Sequence, residues 1–168
     1  MTVSPTDRLL AIEAIKQLKA RYFRFVDTKD WAGITTLFAE DAQFTRSGAF
    51  NVRDPWSGAY TPALPAQPEV RTGREEIVKM MREAVEPFRT VHHGYTPEID
   101  ILNERRASGI WAMFDEIRDR EYRLVLRGWG HYHETYELGA DGWVIKTALI
   151  ARMQLQYGAT ADAPERYV

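Results

Sequence analysis

Four histidines and no cysteine occur among the 168 residues, so imidazole is the side chain whose ordinary pKa suits proton transfer near neutrality, and a thiolate nucleophile or thiolate zinc site is excluded. Two of them are adjacent, His92-His93, flanked by Thr90 and Gly94. The other two are spaced His131-x-His133. On a strand, residues two apart share a face, so His131 and His133 could join a metal site with a third ligand, or simply face solvent or an interface. A cupin-like centre is disfavoured by the helical first half and by the lack of a well-placed glycine before His131. Tyr132 takes the opposite face and is the better candidate to point inward. Asp27 follows Phe25-Val26 at the end of an apolar helical face, where a carboxylate gains nothing from the negative end of the helix dipole. It is either a solvated terminal residue or a functional one, and His92 is likewise either structural or a base. Arg152 lies in a run whose two faces are both apolar, with Trp143, Ile145, Leu149 and Met153 on one and Val144, Ala148 and Ile150 on the other. An arginine there must pair with an acid, reach a cavity, or snorkel out. Tyr22, on the core face of the first helix, needs a partner for its hydroxyl if buried.

The elements that must position these groups follow from periodicity. Ile12, Ile15, Leu18, Tyr22, Phe25 and Val26 recur at helical spacing from about Pro5 to Asp27, with Glu13, Lys16, Lys19 and Arg24 largely on the other side. Asp30 caps a second, shorter helix carrying Trp31, Ile34, Leu37 and Phe38 up to Glu40-Asp41, after which Ala42 to Thr45 reads as a strand. Residues 46–71 hold Pro55, Pro62, Pro65 and Pro68 with Gly48 and Gly58, which predicts a long loop. With Phe50, Trp56 and Tyr60 it reads equally as a lid or an oligomer contact. Thr72-Gly73-Arg74-Glu75 reads as a capping box opening a third helix over Ile77, Met80, Met81, Ala84, Val85 and Phe88. His92 then sits where the chain must turn. Four strands follow, Pro97 to Leu102, Ser108 to Ile117, Tyr122 to Leu138 and Trp143 to Tyr157, the last two joined through the hairpin signal Asp141-Gly142. Helices first and an antiparallel sheet afterwards predict an α+β domain with helices covering one face of a curved sheet. Gly158 to Val168 reads as a loosely attached tail.

Composition narrows the partners. Lys+Arg number 22 against 24 Asp+Glu, a formal charge of -2, which lacks the basic footprint of a nucleic-acid binder. No apolar run approaches the roughly 20 residues of a membrane span, and the first ten residues lack the apolar stretch and cleavage site of a secretory signal. A cytoplasmic protein of one domain, residues 1–168, with neither nucleic acid nor membrane as partner, is the expectation.

In this order the pieces resemble the SnoaL-like branch of the nuclear transport factor 2-like superfamily. The resemblance rests on Tyr22-Phe23-Arg24-Phe25-Val26-Asp27, Asp30-Trp31, Leu37-Phe38-Ala39-Glu40-Asp41-Ala42, Gly73-Arg74-Glu75-Glu76-Ile77, Thr90-Val91-His92-His93-Gly94, Pro97-Glu98-Ile99, Gly130-x-Tyr132, Asp141-Gly142-Trp143 and Arg152. It implies three N-terminal helices on a strongly curved mixed or antiparallel sheet, forming a cone with an internal pocket. Within the superfamily the chain looks closest to scytalone dehydratase, bile-acid dehydratase and lindane dehydrochlorinase, which work through a His–Asp pair without metal or cofactor. Asp27 and His92 match that pair; Tyr22, Arg152 and Tyr132 fall at or near further polar positions of these enzymes. The resemblance thus implies catalytic roles for His92, Asp27, Tyr22 and Arg152. Contacts to substrate are expected from Tyr132, Trp111, Met113, Asp115, His93 and Phe44. A cofactor-independent lyase or isomerase acting on a mostly apolar cyclic or polyketide-like small molecule follows, with a homodimer or homotrimer as the implied assembly. Two other readings stay open: a non-catalytic binding or assembly module, and epoxide hydrolysis with Asp115 among the groups around a water.

Overall fold

The structure, a computed structural model, describes residues 3–46, 48–64, 69–159 and 164–167. Helix α1 (Pro5–Thr28) starts where the Ser4 hydroxyl accepts the Asp7 backbone N–H at 3.1 Å, with a proline in the first turn where no N–H is required. It buries Ile15, Leu18, Lys19, Tyr22 and Val26, a single stripe at helical spacing. Lys19 therefore does not lie on the polar side with Glu13 and Lys16; it is fully buried. The helix ends on Lys29 in the left-handed region (φ 59), with the Lys29 and Asp30 N–H groups donating to the Val26 and Phe25 carbonyls at 3.3 and 2.9 Å. This Schellman closure stops α1 just beyond Asp27 and turns the chain away.

Helix α2 (Trp31–Thr35) is capped by Asp30, whose side chain accepts the Gly33 N–H at 2.9 Å. The expected continuation through Phe38 is not helical. The Leu37 carbonyl accepts the Ile145 N–H at 2.8 Å and Phe38 opens strand β1 (Phe38–Thr45), so pairing with the sheet claims residues whose apolar spacing suits either element. The stretch 46–71 is likewise more than loop: β2 (Val52–Arg53) and β3 (Tyr60–Thr61) form a small hairpin, and β4 (Val70–Thr72) pairs with β1. Pro65 and Pro68 lie outside the described residues. Helix α3 (Arg74–Val85) has no capping box, because Thr72 is held in β4 opposite Gln43. Gly73 is the N-cap instead, at φ 93, a conformation that favours glycine, and its N–H donates to the Ala42 carbonyl at 2.8 Å.

Strands β5 (Arg89–Asn103), β6 (Arg106–Arg118), β7 (Leu124–Leu138) and β8 (Trp143–Tyr157) form an antiparallel meander. The far edge of β8 is shared in succession by β1 and β2, both parallel to it, and by β9 (Arg166–Tyr167), antiparallel. Among the described residues the result is a mixed sheet of nine strands, not closed into a barrel, with three helices on it, and this bears out the α+β cone. Part of the C-terminal tail is thus tied to β8; residues 160–163 and 168 lie outside the described residues.

Two strand assignments change with consequences for chemistry. β5 begins eight residues before Pro97, so Thr90 to Gly94 is strand rather than turn, and a bulge between Gly94 and Pro97 accommodates the proline. In β8 a register shift beside Lys146 re-phases the alternation. Ile145, Ala148, Ile150 and Arg152 face inward, while Leu149 and Met153 are 37% and 38% exposed, so β8 is not buried on both faces. No described helix is long and apolar enough to cross a membrane.

Candidate active site

The end of α1 and the start of β5 bring Asp27 and His92 together. His92 Nδ1 lies 2.7 Å from Asp27 Oδ1, and the His92 backbone N–H donates to Asp27 Oδ2 at 2.9 Å. Thr90, two residues earlier on the same face of β5, donates its hydroxyl to Asp27 Oδ1 at 2.9 Å. Lys29 Nζ in turn donates to Thr90 Oγ1 at 2.9 Å, which leaves the Thr90 hydrogen to point at the carboxylate. Partial burial is the first cause holding the Lys29 ammonium below its ordinary pKa. With Nδ1–H donated to Asp27, the imidazole carries its lone pair on Nε2, and His92 lines an internal cavity. Thr90 and Lys29 went unnoticed in the sequence as parts of this arrangement. The Thr-x-His spacing held the signal for the first, whereas nothing local marks a lysine as left-handed.

Beside the dyad, Tyr22 and Tyr132 are 4% and 1% exposed, and their rings meet edge to face at 6.0 Å. Burial pushes both hydroxyls well above the ordinary tyrosine range, so they remain protonated donors. Behind them Lys19 Nζ sits 3.5 Å from the Tyr132 ring centre and 4.3 Å from that of Tyr22, and it pairs with Glu134 at 2.5 Å. Glu134 also accepts the Tyr136 hydroxyl at 2.6 Å, and Tyr136 accepts the Trp111 indole N–H at 2.7 Å. This buried network was missed at the sequence level, although Lys19 stands four residues after Ile15 on the core stripe. Burial, first among the causes, holds the Lys19 ammonium below its ordinary pKa.

The third group is the Arg152–Asp115 pair, both almost fully buried, with Nη1 to Oδ1 at 3.0 Å and Nη2 to Oδ2 at 2.6 Å. Asp115 stands opposite His92 on β5 and opposite Gly128 on β7. A Cβ at Gly128 would fall 2.3 Å from Arg152 Nη1 and 2.5 Å from Asp115 Oδ1, so only glycine leaves room for the guanidinium to reach across. Of the alternatives read for Arg152, the structure combines two: it pairs with an acid and it borders the cavity.

That cavity, of about 120 Å³, is lined by Tyr22, Tyr132, His92, Asp115 and Arg152, with Val26, Phe44, Met81, Val85, Ile117, Leu126 and Ile150 as its apolar wall and Arg46, Ala49 and Phe50 from the 46–71 stretch alongside. A larger groove of about 880 Å³ runs between α1 and the β7–β8 turn past Leu10, Arg21 and Trp143. It borders no imidazole and no buried ion pair, so the smaller cavity is where the chemistry converges. Three expected contacts are not made here. Trp111 is committed to Tyr136 behind the cavity. Met113 is buried in the core and is not among the cavity's lining residues; its Sδ lies 3.4 Å from Arg152 Nη1. His93, one residue out of phase with His92, faces outward and stacks between Tyr95 and Phe114 at 6.2 and 6.1 Å. His131 and His133 also take the outer face, rings 6.4 Å apart, where burial first and then His131 lower the His133 pKa. Among the described residues no group of three His, Asp or Glu side chains is placed to hold a metal ion.

The profile of the SnoaL-like domain matches residues 7–148. A curated relative, "Probable cyclase FGR4" of Gibberella zeae, is 22% identical over 162 residues, spanning 91% of this chain and 95% of its own. Among solved structures, a scytalone dehydratase-like protein of Novosphingobium aromaticivorans superposes with a TM-score of 0.75 at 19% identity, covering 96% of both chains. A type 2 hexachlorocyclohexane dehydrochlorinase gives 0.71 at 16% identity, over 93% of this chain and 94% of its own. At such identities the structural likeness speaks for the fold alone. Together with the matched profile, which spans most of the chain, it places the protein in the SnoaL-like family of the nuclear transport factor 2-like fold.

Proposed function

We propose that the protein is a cofactor-independent lyase or isomerase, of dehydratase or cyclase type, in which His92 is the general base. The observation that carries this reading is the 2.7 Å bond from Asp27 to His92 Nδ1 beside a cavity that both buried tyrosines border. The cyclase, dehydratase and dehydrochlorinase among its relatives support a small-molecule-processing enzyme in general terms. In the proposed sequence, His92 Nε2 takes a proton from the carbon next to a substrate carbonyl, and the C–H electron pair forms an enolate. Tyr22 and Tyr132 hold the developing oxyanion by hydrogen bonds. Collapse of the enolate forms the C=C bond and expels a hydroxyl at the next carbon, which takes the proton back from His92 and leaves as water. Asp27 fixes the tautomer and stabilises the imidazolium between the two steps. Arg46, Ala49 and Phe50 border the cavity and cover its mouth.

The test is a screen of cyclic β-hydroxy ketones and enones, followed by His92→Gln. Loss of roughly 10²- to 10⁴-fold in kcat is expected. Ligand binding with no turnover, unaltered by His92→Gln, would instead assign the protein to non-catalytic binding.

A further inference from the structure

Arg152 has five N–H donors, and four are already committed. Nε–H donates to the Ala49 carbonyl at 3.1 Å, Nη1 to Met113 Sδ at 3.4 Å and to Asp115 Oδ1 at 3.0 Å, and Nη2 to Asp115 Oδ2 at 2.6 Å. One Nη2 hydrogen is left over among the described residues. An arginine in this state is a neutral pair with a single spare donor, not an anion clamp, because the bidentate fork that a carboxylate requires is filled by Asp115. A second carboxylate in the cavity would also lie beside the Asp115 charge in a poorly screened site. Asp27, the other acid near the cavity, already carries the bonds from His92 and Thr90. The apolar wall gives shape without charge. The cavity, at about 120 Å³, is on the scale of the roughly 150 Å³ that holds a benzene ring in a protein core.

Building on the reading of this cavity as the substrate site, we propose that Asp115 sets its charge selectivity: by occupying the Arg152 fork it restricts the site to uncharged, single-ring substrates that present one carbonyl oxygen to Arg152, and it rejects carboxylates. Arg152 donates its one spare N–H to that oxygen, and Tyr22 and Tyr132 supply the remaining donors. Asp115 is a specificity residue acting through Arg152, and Gly128 is what admits the pair.

Benzamide and benzoate are near-isosteric single rings that differ in charge, and their dissociation constants for the full chain can be compared by calorimetry at neutral pH, with the His92 imidazole NMR signals reporting occupancy. Benzamide is expected to bind at least tenfold more tightly than benzoate. In Asp115→Asn, which removes the negative charge and one of the two acceptors on the fork, that ratio is expected to fall at least tenfold towards benzoate. Equal or tighter binding of benzoate by the unaltered protein overturns the proposal without any variant. So does an unchanged ratio in an Asp115→Asn protein whose melt matches wild type, or the failure of benzamide to perturb His92 at millimolar concentration. Naphthalene-2-carboxamide binding tenfold more tightly than benzamide would overturn the single-ring limit. The lyase reading stands or falls on turnover in His92→Gln and this one on the binding ratio, so the two failures are separable.

Discussion

Both carboxylate oxygens of Asp27 are committed to one short segment of β5, which fixes the imidazole plane as well as its tautomer. The arrangement extends one residue further through Lys29, a lysine holding a left-handed conformation where glycine would be easier, whose amine donates to Thr90. Asp27→Asn preserves the shape but offers an amide N–H where the imidazole needs an acceptor, so Nε2 acquires the proton and ceases to be a base. Under the proposed function, kcat is expected to drop roughly 10²- to 10⁴-fold, with a much smaller change in thermal melt. Full turnover in Asp27→Asn would remove the carboxylate from the mechanism.

Between elements, two buried ion pairs tie helix to sheet and strand to strand. Lys19 and Glu134 join α1 to β7 with neither side chain more than 1% exposed. Such a pair is weak evidence for net stability, but removing one partner strands the other. Lys19→Met is therefore expected to destabilise the fold by roughly 3–5 kcal/mol, and the double variant Lys19→Met, Glu134→Gln to recover much of that loss. Urea melts of the two single variants and the double form the cycle that measures it; additive losses would show that the two do not interact. Gly128→Ala probes the second pair, since the new methyl meets Arg152 and Asp115 at 2.3 and 2.5 Å. Overpacking of roughly 1–3 kcal/mol is expected, together with weaker ligand binding, and a variant with wild-type melt and affinity would contradict the crowding seen at this site.

Over the whole molecule, several carboxylates are held below their ordinary values by direct hydrogen bonds. Lys146 does this to Asp41, Ser57 to Asp54, and Arg118 to Glu116. A depressed carboxylate contributes stability that is complete above its unfolded value and lost as pH falls through its folded one. The ordinary values are 3.8 for aspartate and 4.5 for glutamate, so these carboxylates leave the melting temperature unchanged from pH 7 to about pH 5 and lower it below that, while His133, whose pKa burial lowers from 6.5, adds a small decline as pH falls through that value. Calorimetry at three pH values across the range checks it; a melting temperature that climbs on acidification would contradict the assignment.

What the sequence by itself determined is what local pattern encodes. The α1 stripe, the Asp141-Gly142 hairpin, the inward turn of Tyr132 between two outward histidines and the α+β order all follow from periods of 3.6 and 2 that need no knowledge of neighbours. The choice of His92 over His93 and its pairing with Asp27 came through resemblance. Only the tertiary structure decided the rest. Phe38 leaves α2 because β8 is there to pair with it, and Thr72 is a strand residue rather than a cap because Gln43 stands opposite. Lys19 is buried because Glu134, 115 positions away, receives it, and Arg152 becomes half of a neutral pair because Asp115, 37 positions away, faces it over a glycine. Periodicity says which way a side chain points along its own element. Which distant side chain it meets depends on register across strands, and a shift of one residue there reverses every face.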